Sequence, residues 1–425
     1  MERPRHVPAS PRLIALGLAG LAILLLVLTL AIWVRVDRLQ VAESDYVPTY
    51  VAGTLIREHS GGAIYDQAAE GPLYRRLNPG YELPKILPYM SPPAAAALAA
   101  PLTLLDLPTA YRVWCALQLL MLAGAAALVV RAAPWPAATP RTVRIASGGI
   151  ALAGLGTFEA LLLGQWDGML ALGLAAAYAC WRRGRLATGA ALLGATAALT
   201  KPHLCLGLAA FLLAWHDRRV LLAALGGVAS TVLAGTLVAG PGAWLGMLHA
   251  TQWEATSADR PAADLLSLSG VGGLIGGQGG VGHALGYALG GLAIGAAYLI
   301  GRRVRRHPEH LESGLGAAVL LSLLAAPHLL PHDIALLTPV IAWTLARAAV
   351  RDAASGRPWP GPWVCRALAV VTVLNGAVAV SLTRGRLIEP AVVVPPCLLV
   401  AAGLLWLDTR RRAARRPARA MQSTG

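Results

Sequence analysis

The sequence predicts an all-α fold, a polytopic transmembrane helical bundle of about twelve helices. Three observations lead there. Of the 425 residues, 56% are hydrophobic and only 13% charged. The apolar residues run in blocks about as long as a bilayer is thick, rather than in amphipathic stripes. The basic residues gather in short links between those blocks, where positive-inside topology puts them. That distribution also sets aside nucleic acid as a partner, which the formal charge of +15 would otherwise invite.

Leu13 to Val34 is an uncharged run too long for the core of a secretory signal, and no small-residue cleavage site precedes Arg35. It is expected to be a retained first transmembrane helix. The links "WRRGR" (Trp181 to Arg185), "HDRR" (His216 to Arg219) and "GRRVRR" (Gly301 to Arg306), with Arg347, Arg351 and "RRRAARR" (Arg410 to Arg416), mark the cytoplasmic side. Midway between them, and so outward, lie residues 35–90, "GQWDG" (Gly164 to Gly168), "TKPH" (Thr200 to His203), Pro241 to Asp264, "PHLLPHD" (Pro327 to Asp333) and "TRGRLIEP" (Thr383 to Pro390). The chain thus reads as one integral-membrane domain over 1–425. Its first external loop, 35–90, carries short amphipathic helices, and 409–425 forms a basic cytoplasmic tail.

Leu186 to Thr200 and Leu204 to Trp215 are shorter than the ~20 residues of an ordinary crossing. Their lysine-proline joint therefore lies below the membrane surface, tolerable only if it is buried in protein or lines a wet cavity. Ser91 to Arg131 reads as two helices broken at "LDLP" (Leu105 to Pro108). The glycine-rich stretch Leu268 to Gly286 has no lysine or serine at a phosphate-loop position, and its small residues suit close helix approach. Four of the five cysteines lie within apolar spans and no CxxC pair exists, so no disulfide framework, zinc site or other cofactor is expected.

Four places could carry chemistry. Asp45, in "SDYVPTY" with Tyr46 and Tyr50, stands just before a helix that Pro48 would start; it is either a capping residue or a reactive carboxylate. Lys201 is one of two lysines, the other being Lys85, and it either snorkels or, with His203, meets a lipid phosphate. His328, His332 and Asp333 fall close together in "PHLLPHDIALLTP". A metal there is disfavoured because Pro331 interrupts the helix that i,i+4 histidines need, which leaves turn capping or contact with phosphate or sugar. Gln165 and Asp167, in an outward turn, either bind hydroxyls or cap.

With these stretches in view, the chain resembles glycosyltransferase family 87, integral-membrane enzymes of the GT-C superfamily. The resemblance rests on five pieces in order: "DYVPTYVAGTLI" from Asp45, "GGAIYD" from Gly61, "YMSPPAAAALAAPLTLLDLPTAYRVWCALQLL" from Tyr89, "LLGQWDGMLALGLAAAYACWRRGRLATGAALLGATAALTKPHL" from Leu162, and "APHLLPHDIALLTP" from Ala326. It implies a GT-C-like bundle with a polyprenyl-phosphate sugar donor and a glycolipid or glycan acceptor at the outer face. It implies hexose transfer, mannose in much of the family. Asp45 falls on the catalytic position, and Lys201 and His332 on motif positions for the donor phosphate, with His203 beside them. Tyr46, Tyr50, Gln165, Asp167, His328 and Asp333 are expected to bind substrate. Two residues depart from the pattern: Asp167 stands where the family usually has asparagine, and Ser91 replaces a tyrosine before the double proline. The chemistry is consistent with this, since inverting transfer to a hydroxyl needs one base and a phosphate leaving group needs no general acid. A multi-pass transporter or flippase is the competing reading, because broken helices with polar joints also build carrier sites.

Overall fold

The computed structural model describes residues 11–77, 79, 87–256, 264–277, 279–357, 360–382 and 389–410, so Lys85, most of Thr383 to Pro390 and the tail beyond Arg410 lie outside the described residues. In chain order the helices are α1 (Pro11–Val34), α2 (Arg38–Ala42), α3 (Tyr46–Arg57), α4 (Gln67–Leu77), α5 (Pro93–Ala99), α6 (Leu107–Ala132), α7 (Arg141–Leu152), α8 (Leu155–Leu163), α9 (Asp167–Arg182) and α10 (Leu186–Leu199). There follow α11 (Leu206–Trp215), α12 (Arg218–Ala239), α13 (Ala243–Thr256), α14 (Leu268–Gly276), α15 (Gly280–Arg306), α16 (Leu311–Ala325), α17 (Leu337–Ala354), α18 (Pro362–Leu382) and α19 (Pro390–Arg410). No strand is present among the described residues.

Six of these elements are long and apolar enough to cross a membrane, and seven if the bent pair α7 and α8 forms one span. The expected figure of about twelve is larger because several apolar helices fall short of a full crossing, among them Leu186–Leu199, Pro202–Trp215 and Pro93–Leu104. The last of these is the first half of the segment broken at "LDLP". It ends in a 3-10 turn over Ala100–Leu104, and Asp106 then caps α6 by accepting from the Thr109 N–H. Large apolar side chains of α12 and α15, such as Leu225, Leu233, Leu292 and Leu299, are exposed, as lipid-facing residues must be.

At the centre is α16, every residue of which is buried. A helix apolar on all sides belongs inside a bundle. It packs against α11, α15, α17 and α19. The glycine-rich stretch forms a tight hairpin of α14 and α15: a Cβ on Gly272 would come within 2.4 Å of the Gly286 nitrogen. Packing, and not nucleotide binding, explains those glycines.

The first loop builds a second core. Tyr46, Val47, Tyr50 and Val51 of α3 pack with Tyr111, Trp114 and Cys115 of α6. The loop is therefore fastened to a membrane span by aromatic contacts, with Tyr46 stacked on Trp114 at 5.7 Å between centroids. Arg112 of α6 ties down the end of α1, donating to the carbonyls of Trp33, Val34 and Val36.

Two joints position the polar residues. Between α7 and α8 the chain bends by 50°, and the half-buried N–H of Leu155 donates to Asn375 Oδ1 of α18 at 2.9 Å. Between α10 and α11, the Thr200 hydroxyl returns to the Thr196 carbonyl at 2.7 Å and the Leu208 N–H donates to Ser322 Oγ of α16 at 2.7 Å. The broken backbone thus finds partners inside the protein.

Helix α8 lies against the 3-10 turn Pro331–Leu336 that leads into α17. A Cβ at Gly156 would sit 2.4 Å from the Ala335 nitrogen and 2.6 Å from the Ile334 carbonyl carbon, both of them backbone atoms that cannot swing away. Gly156→Val should therefore lower stability by about 1–3 kcal/mol, the usual cost of overpacking. The check is the thermal midpoint of the purified protein in detergent, and an unchanged midpoint would contradict this seat for the turn.

Candidate functional site

Helix periodicity decides which residues of α3 face the site. Tyr46 and Tyr50, four apart, share one face and go into the aromatic core. Asp45, Pro48 and Thr49 share another and line a cavity of about 420 Å³. Neither tyrosine, both expected to bind substrate, lines that cavity. Tyr46 is wholly buried, and the Tyr50 hydroxyl donates to the Leu105 carbonyl at 2.7 Å.

Asp45 occupies the N-cap position of α3, yet its side chain makes no capping bond there. Its carboxylate accepts instead from Gln165 Nε2 at 2.5 Å. Gln165 is presented by the turn between α8 and α9. That turn is possible because Gly164, at φ +70°, takes the left-handed conformation that ends α8. The capping role considered for Asp45 is thus not the one its side chain performs.

Lys201 leaves the end of α10 with its side chain only 12% exposed, and its ammonium is held by two acids. It lies 3.1 Å from Asp167 Oδ1 and 2.6 Å from Asp333 Oδ1. Snorkelling to the surface is therefore not what this lysine does. Asp333 meanwhile accepts from the Leu330 N–H at 2.8 Å through its other oxygen, so one carboxylate both shapes the turn and holds the lysine. Asp167 is fully buried and reaches the cavity through Lys201 rather than by lining it.

The histidines divide into two settings. His203, in the 3-10 turn after Lys201, lies against His328 with ring centroids 4.4 Å apart and the rings tilted by 35°. His332 Nε2 lies 3.5 Å from Asp333 Oδ1. Asp167, His332 and Asp333 each bring one ligand atom within 4.8 Å of the others, close enough to hold a metal together. The Lys201 ammonium already stands in contact with both carboxylates, where such a cation would be bound. The donor set is therefore matched by a resident cation of the chain itself.

Asp45, Gln165, Lys201, His203, His328, His332 and Asp333 all border the one cavity, together with Thr251 and Gln252 of α13 and Tyr89 and Ser91 from the end of the first loop. Sequence reasoning missed three contributors. Nothing in its spacing singles out α13. Asn375, an amide near the middle of an apolar helix, did offer a signal. Glu70 of α4 is the third: it is completely buried, and its Oε1 accepts from the backbone N–H of cavity-lining Tyr89 at 3.1 Å.

Burial raises the Glu70 carboxyl from its ordinary 4.5 to about 7, with the Tyr89 N–H opposing the shift. Its Oε2 is buried with no hydrogen-bond partner, as suits a carboxyl that keeps its proton. A raised acid favours the folded state below its unfolded pKa and loses that advantage as pH rises through the folded one. Stability should therefore fall between about pH 5 and pH 8, by roughly 3 kcal/mol at most. Glu70→Gln should flatten this dependence, and thermal midpoints across that range decide it; an equally sloped variant would remove Glu70 as the cause.

A family model of glycosyltransferase family 87 matches residues 89–327. That stretch is more than half of the chain and takes in Gln165, Asp167, Lys201 and His203, while Asp45, His332 and Asp333 lie outside it. No curated protein and no solved structure matches the chain.

Proposed function

The chain belongs to glycosyltransferase family 87 and is a membrane glycosyltransferase; from that premise we propose that it transfers a hexose, mannose by the family resemblance, from a polyprenyl-phosphate donor to a glycolipid or glycan acceptor, with inversion. The observation that carries this reading is the placement of Asp45. A carboxylate at a helix start that leaves its own helix uncapped, is oriented by Gln165 and borders a cavity shared with a lysine and three histidines suits a general base. The carrier alternative gives way to the family membership.

In this reading the acceptor hydroxyl gives its proton to Asp45 as its oxygen attacks the anomeric carbon. The bond from that carbon to the donor phosphate breaks on the opposite face, and polyprenyl phosphate leaves with the electron pair. The amide of Gln165 fixes the carboxylate's orientation. Lys201, His332 and His203 receive the phosphate. The charge of Lys201 is shared with Asp167 and Asp333, so the histidine N–H groups supply part of the anion's stabilisation. Tyr46 and Tyr50 act only by holding α3 in place. Asp45→Asn keeps the shape and the Gln165 contact but removes basicity. Turnover of a radiolabelled polyprenyl-phosphate hexose should drop at least about 100-fold while donor affinity changes by less than about twofold. Near-normal turnover would take Asp45 out of the mechanism.

The active site is proposed to face outward. Helix α17 and its leading turn support this: Asp333 is at the cavity and Arg351 stands eighteen residues on, about 27 Å away along the helix. The arginine-rich links then fall on the cytoplasmic side. In sealed cells, a cysteine at exposed Gln252 should react with an impermeant maleimide and one at exposed Arg302 should not. The reverse pattern would invert the orientation.

A further inference from the structure

A second cavity, of about 490 Å³, lies between α16, α17, α18 and α19, along a side of α17 that runs from its first residue to its last turn. None of the residues assigned to glycosyl transfer lines it. Along α17 its wall runs from Leu337 through Ile341 and Thr344 to Arg347 and Arg351, a length of about 21 Å at the helical rise. Along α18 it runs from Leu374 down to Arg366 and Trp363. The shaft is apolar for most of that length and ionic at one end.

The ionic end is rich in arginine. Arg347, Arg351 and Arg366 meet one acid among the described lining residues, Asp408. Arg351 pairs with Asp408, and Arg347 Nε is 3.7 Å from it. That carboxylate is engaged further by Ser313. The guanidinium carbons of Arg351 and Arg366 lie 4.5 Å and 4.7 Å from the Trp363 ring centroid. The side chains of Arg347 and Arg351 are only 14% and 21% exposed, so water screens them poorly. Two buried acids lie close by: Asp352 accepts from the Trp363 and Val364 N–H groups, and Glu312 of α16 pairs with Arg182. The lining itself carries three arginines to one acid, and such an arginine-rich mouth on an apolar shaft suits an anion with a hydrocarbon tail. The shaft is longer than the ~15 Å half-thickness of a bilayer core, enough for one chain from one leaflet.

We infer that this cavity binds an anionic phospholipid, its phosphate among Arg347, Arg351 and Arg366 and one acyl chain between α17 and α18 towards Leu337 and Leu374. Basic pockets between transmembrane helices on the cytoplasmic side recognise lipid headgroups in this way. The site is separate from glycosyl transfer and does not depend on the identity of the donor.

Native mass spectrometry of the full-length protein, exchanged into detergent with equal phosphatidylglycerol and phosphatidylcholine of identical chains, tests the assignment. Wild type should retain phosphatidylglycerol over phosphatidylcholine by at least about fivefold, the effect of one basic residue near an anionic lipid. Arg366→Glu reverses an exposed charge outside the Asp408 pair, and Ala348→Trp fills the shaft without touching charge; both should bring the ratio close to one. Equal retention by wild type, or an undiminished preference in either variant, would overturn the proposal. Displacement of phosphatidylglycerol by an equimolar polyprenyl phosphate would give the cavity to the carrier lipid and equally overturn the phospholipid assignment.

Discussion

The polar half of this molecule is organised around a single buried ammonium. Lys201 is lodged between Asp167 and Asp333, and the three groups come from the end of α10, the start of α9 and the turn before α17. Burying any one of these charges alone would be strongly unfavourable, and removing one partner of such a set typically costs about 3–5 kcal/mol. The contact therefore fixes where three elements meet. The same turn that supplies Asp333 carries His332 and is backed by α8, whose other end leads to Gln165 and so to Asp45. The proposed base and the histidines thus inherit their positions from a lysine that need not touch the sugar.

The two ends of α17 show how one helix serves two surfaces. At its leading turn an acid is matched by a lysine from another element. At its trailing end arginines outnumber the acid they face. Between them lies an apolar stretch against α16, so neither polar group perturbs the other's surroundings. Charge sign is in this way separated along the bundle by distance rather than by screening.

Much of the site was legible because polar residues are so costly at membrane depth that each one carries information. "GQWDG", "TKPH" and "PHLLPHD" stand out from their apolar flanks, and the fold gathers all three around one cavity. The packing of the tyrosines after Asp45 was legible in their spacing: a four-residue interval puts them on the same face, away from Asp45. The pairing of Lys201 with two acids could not be read, since Asp167 and Asp333 are far from it in sequence and nothing local matches them. Glu70 was invisible for a similar reason, because only the fold buries it against Tyr89. In the bundle, runs of apolar residues announced helices but not their lengths in the membrane, because a break such as the one Asn375 stabilises depends on a distant side chain.

The anchoring of α1 bears on how the chain is made. Its last carbonyls are received by Arg112, a residue of α6, which also lies over Trp33 at 5.0 Å. During synthesis α1 emerges well before α6 exists. Until then water must serve those carbonyls. Insertion of α6 delivers a guanidinium that replaces the water and draws the beginning of the first loop onto the span that will hold its aromatic core. Assembly of the polar layer therefore follows the arrival of α6, and the nascent chain does not bring lysine and acid together until much later, when α10 and the turn before α17 are in place.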